Sequence, residues 1–428
     1  MRLMERLDST VPLAARPYGL LSSRARRMNR DVYDTRLLLQ KTTCMTGADA
    51  ARVFYDPGLF VRAGAAPRRL SLTLFGENGV QSLDGERHRA RKAMFMSLMA
   101  PDARDELRDI ASRFWRERIR EWEGRGQVVL YNGVSELLCQ AVCAWTGVPV
   151  AERNVPAITS LLTALIDAPA AIGPRYLRGR AARRIADRWA AGHIRRARAD
   201  SAAEAPAADG PDGGTAVDVI ASYRDTDGRL LPPDVAGVEL LNVLRPTVAV
   251  GRFVVFAALA LHENPQWRHR LATEDDPELL EAFVQEVRRF YPFFPMVAAR
   301  AARDFEWHGH HFPKGRRVLL DLQGTDHDPR LWERPDQFRP ERFMGREPDA
   351  HSMIPQGGGD HYDGHRCAGE WITKDLMKVS VTALTRWMSY SVPPQDLRVH
   401  PWRAPAIPKS RFIVTQVTDT RVEAATGG

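Results

Sequence analysis

One cysteine stands apart by its surroundings. Cys367 lies in MIPQGGGDHYDGHRCAGEWITKDLMKVSVTALTRWM (353–388), downstream of three consecutive glycines and directly after His365 and Arg366. Beyond Gly369 the apolar residues Ile372, Leu376, Val379, Leu384 and Trp387 recur at helical spacing, so the cysteine sits on a glycine-rich loop just before a helix. Unpaired peptide N–H groups and the positive end of the helix dipole favour an anionic sulfur there, and glycines let a planar cofactor approach the backbone. A buried structural thiol is the commoner fate of a lone cysteine. His365, Arg366 and the glycines argue against it here.

A second candidate is a cation. In VAGVELLNVLRPTVAVGRFVVFAALALHENP, Arg245 stands among Leu241, Val243, Leu244, Val248 and Val250. A guanidinium in such surroundings is costly unless paired, and Pro246 beside it removes an N–H and is expected to kink the helix. Arg245 either points to solvent, pairs with a protein carboxylate, or meets the anion of a ligand; the Arg-Pro break within an apolar helix favours the ligand. Glu286 and Arg289 are three apart on one helix, where they can pair, and Arg342 in FRPERF offers a third charge. Two other groupings read as ordinary structure. Cys139 and Cys143 lack partners at zinc-like spacing, and His308, His310 and His311 fall on strands whose successive side chains face opposite ways.

The elements that position these residues are mostly helices. From Ala103 to about His269 apolar residues recur every three or four positions, with strand-like pieces at Phe305–Leu320, Arg411–Val417 and, more weakly, Arg36–Thr43. Turn residues at Gly309 and at Pro313 to Gly315 predict a hairpin, and SAAEAPAADGPDGG (201–214) predicts a surface loop. The fold class is mainly α with a small β portion, in one domain over 1–428. Its helical core is expected at about 76–290 and 350–390, and its β-rich portion at about 33–75, 300–322 and 395–420. The net charge of +8 comes from 61 basic and 53 acidic residues, but only six of the basic ones are lysine and the arginines are scattered. That pattern excludes a nucleic-acid footprint. Four cysteines cannot frame such a chain with disulfides, the N-terminus has no apolar signal core, and the run Phe253–Leu261 is too short to span a bilayer. A cytoplasmic protein without a membrane span is expected.

These features together resemble the cytochrome P-450 superfamily over essentially the whole chain. The resemblance implies haem b held through Cys367 as the axial iron ligand, with Glu286, Arg289 and Arg342 as a structural triad. His88 and Lys92 match the positions that bind the haem propionates, and His365 and Arg366 flank the ligand. A thiolate ligand pushes electron density onto iron and favours O–O cleavage. The departures narrow the branch. Ile354 replaces the usual aromatic residue before the glycines, the loop is expanded to QGGGDHYDGHRC, and His365 replaces arginine. Ordinary monooxygenases carry an acid and a hydroxyl residue where this chain has Arg245 and Pro246.

With CMTGADAARVFYDP (44–57), these departures look like the fatty-acid peroxygenase branch, matching from about Tyr33 to Arg411. That branch uses hydrogen peroxide as co-substrate and needs no reductase. The implied reaction is hydroxylation of a fatty acid at the alpha or beta carbon, with the carboxylate held by Arg245 acting as general acid and base. Gln81 stands where decarboxylating members carry histidine, so alkene formation is expected to be minor. Phe75 and Ile172 are expected pocket walls, although Pro169 and Ala170 replace bulkier residues. The alternatives are a reductase-dependent monooxygenase acting on another anion, and a haem carrier or sensor without turnover.

Overall fold

The computed structural model describes residues 8–169, 171, 173–203, 214–400 and 402–420. The helices that build the core are α1 (Gly85–Ser97), α2 (Pro101–Trp122), α3 (Leu130–Thr146), α4 (Val155–Asp167), α5 (Pro174–Ala203), α6 (Pro233–Ala249), α7 (Gly251–Glu263), α8 (Pro277–Phe290) and α9 (Glu370–Thr382). Several begin on proline, whose fixed φ suits the first turn and whose missing N–H would be unpaired there anyway. At α8 the Asp276 side chain also accepts the Glu278 N–H at 2.8 Å.

On α2 the fully buried stripe is Leu107, Ala111, Trp115, Ile119 and Trp122, a spacing of four, four, four and three. Phe114 lies at its edge. Helix α3 and the α6–α7 pair are apolar nearly all round and run through the centre. Pro233–Glu263 is long and apolar enough to cross a membrane, yet its most apolar stretch is 94% buried inside the protein. A Cβ on Gly237 would lie 2.7 Å from the Ala191 backbone nitrogen, so glycine is what lets α6 and α5 approach this closely.

The Arg245–Pro246 pair does not end the helix. Helical backbone runs through Pro246 to Ala249, and the interruption comes at Val250, whose N–H bonds Thr247 three residues back at 3.2 Å. Proline's φ is itself helical, so tight packing tolerates one missing bond.

A five-stranded sheet flanks this core, built from β1 (Val32–Leu37), β2 (Gln40–Met45), β3 (Phe60–Val61), β4 (Met296–Ala301) and β5 (Arg317–Asp321). The strands are ordered β1-β2-β5-β4-β3, and only the β2–β5 pairing is parallel, with Cys44 opposite Leu319. A second sheet joins Val128–Val129, Ile413–Asp419 and Met388–Ser391, the last lying inside the stretch expected to be helical to 390. The stretch Arg36–Thr43 is not one strand. It turns at Leu38 and Leu39, with φ of 52° and 62°, a conformation leucine rarely adopts. Asp8 Oδ2 and Thr10 Oγ1 each accept one of their N–H groups at 2.6 Å, a tertiary clamp that local sequence does not announce.

The hairpin Phe305–Trp307/His310–Phe312 turns at His308–Gly309 as read from the sequence. His310 lies 3.2 Å from Asp34, and His311 is exposed. Of the expected loop 201–214, Ser201 to Ala203 complete α5, and 204–213 lie outside the described residues.

Candidate active site

Cys367 sits one turn ahead of α9. Its N–H donates to Gln356 O at 3.1 Å, and its carbonyl accepts the Glu370 N–H at 3.3 Å. Burial pushes the thiol above its ordinary value, and the nearby Lys92 pulls only partly against it. Burial thus opposes the thiolate that the helix end favours. A bound metal cation would hold the sulfur as thiolate. Gln356, which sequence reasoning passed over, has its Nε2 3.9 Å from Cys367 Sγ and 3.0 Å from Thr373 Oγ1. Its Oε1 accepts from Arg288 Nε at 3.1 Å, and Arg288 is fixed by Glu370 at 2.5 Å. Arg366 pairs with the same Glu370 through Nε at 2.6 Å, so its guanidinium is committed to the loop.

Beside the cysteine lies a basic cluster. His88 and His365 stack with centroids 3.8 Å apart, Lys92 donates to the Arg366 carbonyl, and His365 Nε2 is 3.5 Å from Asp84. Burial, with like charges nearby, lowers Lys92 to about 8, His88 to about 3 and His365 to about 4. Arg62, a residue without a sequence signal, completes the group by packing over Phe54 at 4.2 Å. Its backbone N–H and that of Ala63 donate to Asp84. His88 and Lys92 are buried, His365 and Arg62 half-buried, and the Asp84 carboxylate is taken up by His365 and two backbone N–H groups, an arrangement that suits further anions. A group carrying two carboxylates and a cation suited to sulfur fits both halves of this site, and haem is such a group.

Arg245 is 4% exposed on α6. It donates to the Leu74 carbonyl through Nη1 and to Asn242 Oδ1 through Nη2 at 3.1 Å, and no carboxylate pairs with it among the described residues. Burial, reinforced by Arg183, lowers it to about 9. Both ordinary readings of this residue are thereby removed: it neither reaches solvent nor meets a protein anion. Leu74 belongs to a π-helical turn, Ser71–Phe75, which also presents the half-buried Phe75. Arg183 donates to the same Leu74 carbonyl at 3.2 Å. Gln81 accepts from Asn242 Nδ2 at 3.2 Å, so it lies one amide away from Arg245. Ile172 and Ala170 lie outside the described residues. Nearby Asp167 is held by the buried Arg252 and by Arg403 at 3.1 Å.

The charged triad meets deep in the fold. Arg289 donates twice to Glu286, at 2.7 and 2.8 Å with both side chains fully buried, and Arg342 Nε lies 3.1 Å from the same carboxylate. The Arg339 N–H adds a further bond at 2.8 Å, tying the 3-10 turn Pro340–Phe343 to α8. Cys139 and Cys143 are buried in the α3 core.

A half-buried cysteine on a glycine loop, an anion-seeking basic cluster beside it and the Glu–Arg–Arg triad define a cysteine-ligated haem protein. The comparisons make this specific. The cytochrome P-450 family profile matches residues 262–405. Nicotine N-demethylase CYP82E3 of Nicotiana tomentosiformis is 32% identical over 122 residues, and human cytochrome P-450 1A2 is 33% identical over 134. The matched segments span only 23% and 25% of those relatives. Likeness to solved structures covers nearly everything. Cytochrome P-450SP alpha (CYP152B1), in complex with (R)-ibuprofen, shares 46% identity at a TM-score of 0.92, over 96% of this chain and 99% of that one. Cytochrome P-450EX alpha (CYP152N1), with myristic acid, shares 41% at 0.91, over 97% and 98%. A variant of cytochrome P-450 OleT, in complex with arachidonic acid, shares 32% at 0.91 over the same fractions. The chain belongs to the cytochrome P-450 family.

Proposed function

We propose that this protein is a peroxygenase that hydroxylates fatty acids near the carboxyl end. One observation carries the reading: Arg245 is a buried cation whose hydrogen-bond partners among the described residues are a carbonyl and an amide, with no carboxylate. An unpaired buried guanidinium is costly until an anion joins it, and a carboxylate is its best geometric match. Three similar structures hold carboxylic acids, namely myristic acid, arachidonic acid and ibuprofen.

The chain's own groups then divide the work. Leu74 O and Asn242 Oδ1 fix the guanidinium, so that the acid head group arrives in one orientation. The alpha and beta carbons follow the carboxylate directly, so an acid anchored at Arg245 brings them in first, beside the π-turn that supplies Leu74 O and Phe75. The bound carboxylate takes the place of a missing protein acid. It accepts a proton from hydrogen peroxide and returns it to the departing oxygen, so that water leaves and the substrate gains a hydroxyl. Haem held by Cys367, with His88, Lys92 and His365 toward its carboxylates, supplies peroxide activation and carbon oxidation when bound. Gln81 can donate hydrogen bonds but cannot deliver a proton as imidazolium would, which favours hydroxylation over decarboxylation.

The test is mass spectrometry of products after haem-loaded protein is mixed with hydrogen peroxide and carboxylic acids in the absence of any reductase. Alpha- or beta-hydroxy acid is expected. Turnover that requires an electron donor would overturn the reading.

A further inference from the structure

Behind the acid anchor lies a buried carboxylate that the mechanism above does not use. Glu239, Asn242 and Arg245 are spaced by three along α6, on one face of the helix. Glu239 is fully buried. Its Oε1 accepts from Arg91 Nη1 of α1 at 2.6 Å, its Oε2 accepts from Asn242 Nδ2 at 2.8 Å, and the Val80 N–H also donates to it. Arg91 is itself held by Asp225 at 3.0 Å, near the surface.

Asn242 is saturated by this arrangement. One Nδ2 hydrogen goes to Glu239 and the other to Gln81 Oε1, while Oδ1 accepts from Arg245. An amide can be placed in either of two orientations, and here charge decides between them. Reversal would set the amide oxygen against the Glu239 carboxylate and the NH2 against the Arg245 guanidinium. Both contacts would become repulsive, and buried donors would be left unmade. The same choice fixes Gln81: with its oxygen occupied by Asn242, its Nε2 is the free end, so this side chain presents donors only. Space enforces the geometry too. A Cβ on Gly79 would lie 3.1 Å from both Asn242 Nδ2 and Gln81 Oε1, so glycine admits the contact.

We infer that Glu239 is a positioning residue: its carboxylate, anchored by Arg91, sets the Asn242 amide and thereby both aims Arg245 and makes Gln81 an obligate donor toward the acid head group. Loss of Glu239 leaves position 81 without a defined polarity and Arg245 without its lateral restraint. The inference rests on the proposed reading that Arg245 holds the substrate carboxylate.

Removing Glu239 alone strands a buried Arg91, so the test uses the double variant Arg91→Met/Glu239→Leu, which replaces the buried pair by apolar residues and is expected to fold. The haem-loaded protein is titrated with myristic acid while the Soret spin shift is followed, and hydroxy-acid regioisomers are counted after peroxide turnover. The double variant is expected to keep haem content and melting temperature, to bind the acid at least tenfold more weakly, and to blur the alpha-to-beta product ratio. Glu239→Gln has a single oxygen, which Arg91 claims, so its NH2 turns toward Asn242 and this variant is expected to bind the acid about as weakly as the double variant. Arg245→Leu runs in parallel. If it abolishes binding while the double variant matches wild type in affinity and regiochemistry, Glu239 is only structural and the inference falls. If Arg245→Leu itself binds myristic acid normally, the underlying reading falls with it.

Discussion

Arg245→Leu is expected to move stability and binding in opposite directions. Burial lowers this guanidinium from 12.5 to about 9. At about 1.4 kcal/mol per pH unit, that corresponds to a charge penalty on the order of 5 kcal/mol carried by the acid-free fold. The cation stays protonated across the working range, so the penalty is fully present at neutral pH. Leucine removes it and fills similar space, but gives up the bonds to Leu74 O and Asn242 Oδ1, each worth about 1.5–2 kcal/mol because the donor is charged. A net gain of about 1–2 kcal/mol remains. For 428 residues each kcal/mol shifts Tm by about 1 °C, so the acid-free variant is expected to melt about 1–2 °C higher than wild type. Myristic acid at a hundred times Kd stabilises wild type by a further 2.7 kcal/mol or so, about 3 °C, and leaves the variant unmoved. Differential scanning fluorimetry with and without the acid reads both effects, and a Soret titration checks the affinity. A variant that melts lower and still responds to acid would refute the idea that Arg245 is an unpaired charge awaiting a carboxylate.

Three further outcomes follow from the same geometry. Gln81→His introduces a proton donor beside the acid site, so terminal alkene should rise relative to hydroxy acid by gas chromatography; an unchanged ratio would show that this position does not steer the reaction. Gln356→Leu removes the only side-chain donor near Cys367 Sγ among the described residues and strands Arg288 Nε. A stability loss of about 1–3 kcal/mol is expected, together with a more negative haem reduction potential by spectroelectrochemistry. Burial acts to raise Glu370, but Arg288 and Arg366 hold it at about 2 instead of 4.5, a difference of about 3 kcal/mol. A carboxylate held low contributes stability that is present above its unfolded value and lost as pH falls toward 2. Glu370→Gln should therefore lower stability by up to about that amount at pH 7 and flatten the acid limb of a denaturant-unfolding series between pH 5 and 2.

Sequence reading reached the residues whose local context is itself unusual. Cys367 follows a run of glycines, Arg245 interrupts an apolar helix, and Glu286 and Arg289 share a helix face, so each is visible within about ten residues of chain. What it missed depends on long-range contact. Arg62 packs over Phe54, Gln356 reaches Cys367 across a loop, and the Leu38–Leu39 turn is clamped by Asp8 and Thr10. Nothing local marks these positions. Pro246 is a different case: the helix continues through it, because packing on every side holds the backbone helical across the missing N–H. Glu239 and Asn242 lie between these cases: the spacing E-x-x-N-x-x-R is on the page, but its meaning requires Arg91 at one end and Gln81 beside it.

The charge pattern of α6 explains why a cation can stand where related enzymes place an acid. A fixed carboxylate at Arg245 would neutralise the guanidinium permanently and leave nothing for the substrate. Glu239 is instead set two steps away, its charge answered by Arg91 at 2.6 Å and passed on only as the orientation of the Asn242 amide. Arg245 therefore receives direction without neutralisation. Its pull on an incoming carboxylate is preserved, and so is the penalty that the acid relieves on binding. An unoccupied anchor that is costly to the fold makes the substrate itself the missing acid, and a molecule lacking a carboxylate brings no proton carrier with it. Selection for carboxylic acids and the ability to activate peroxide are thus the same event at the same residue.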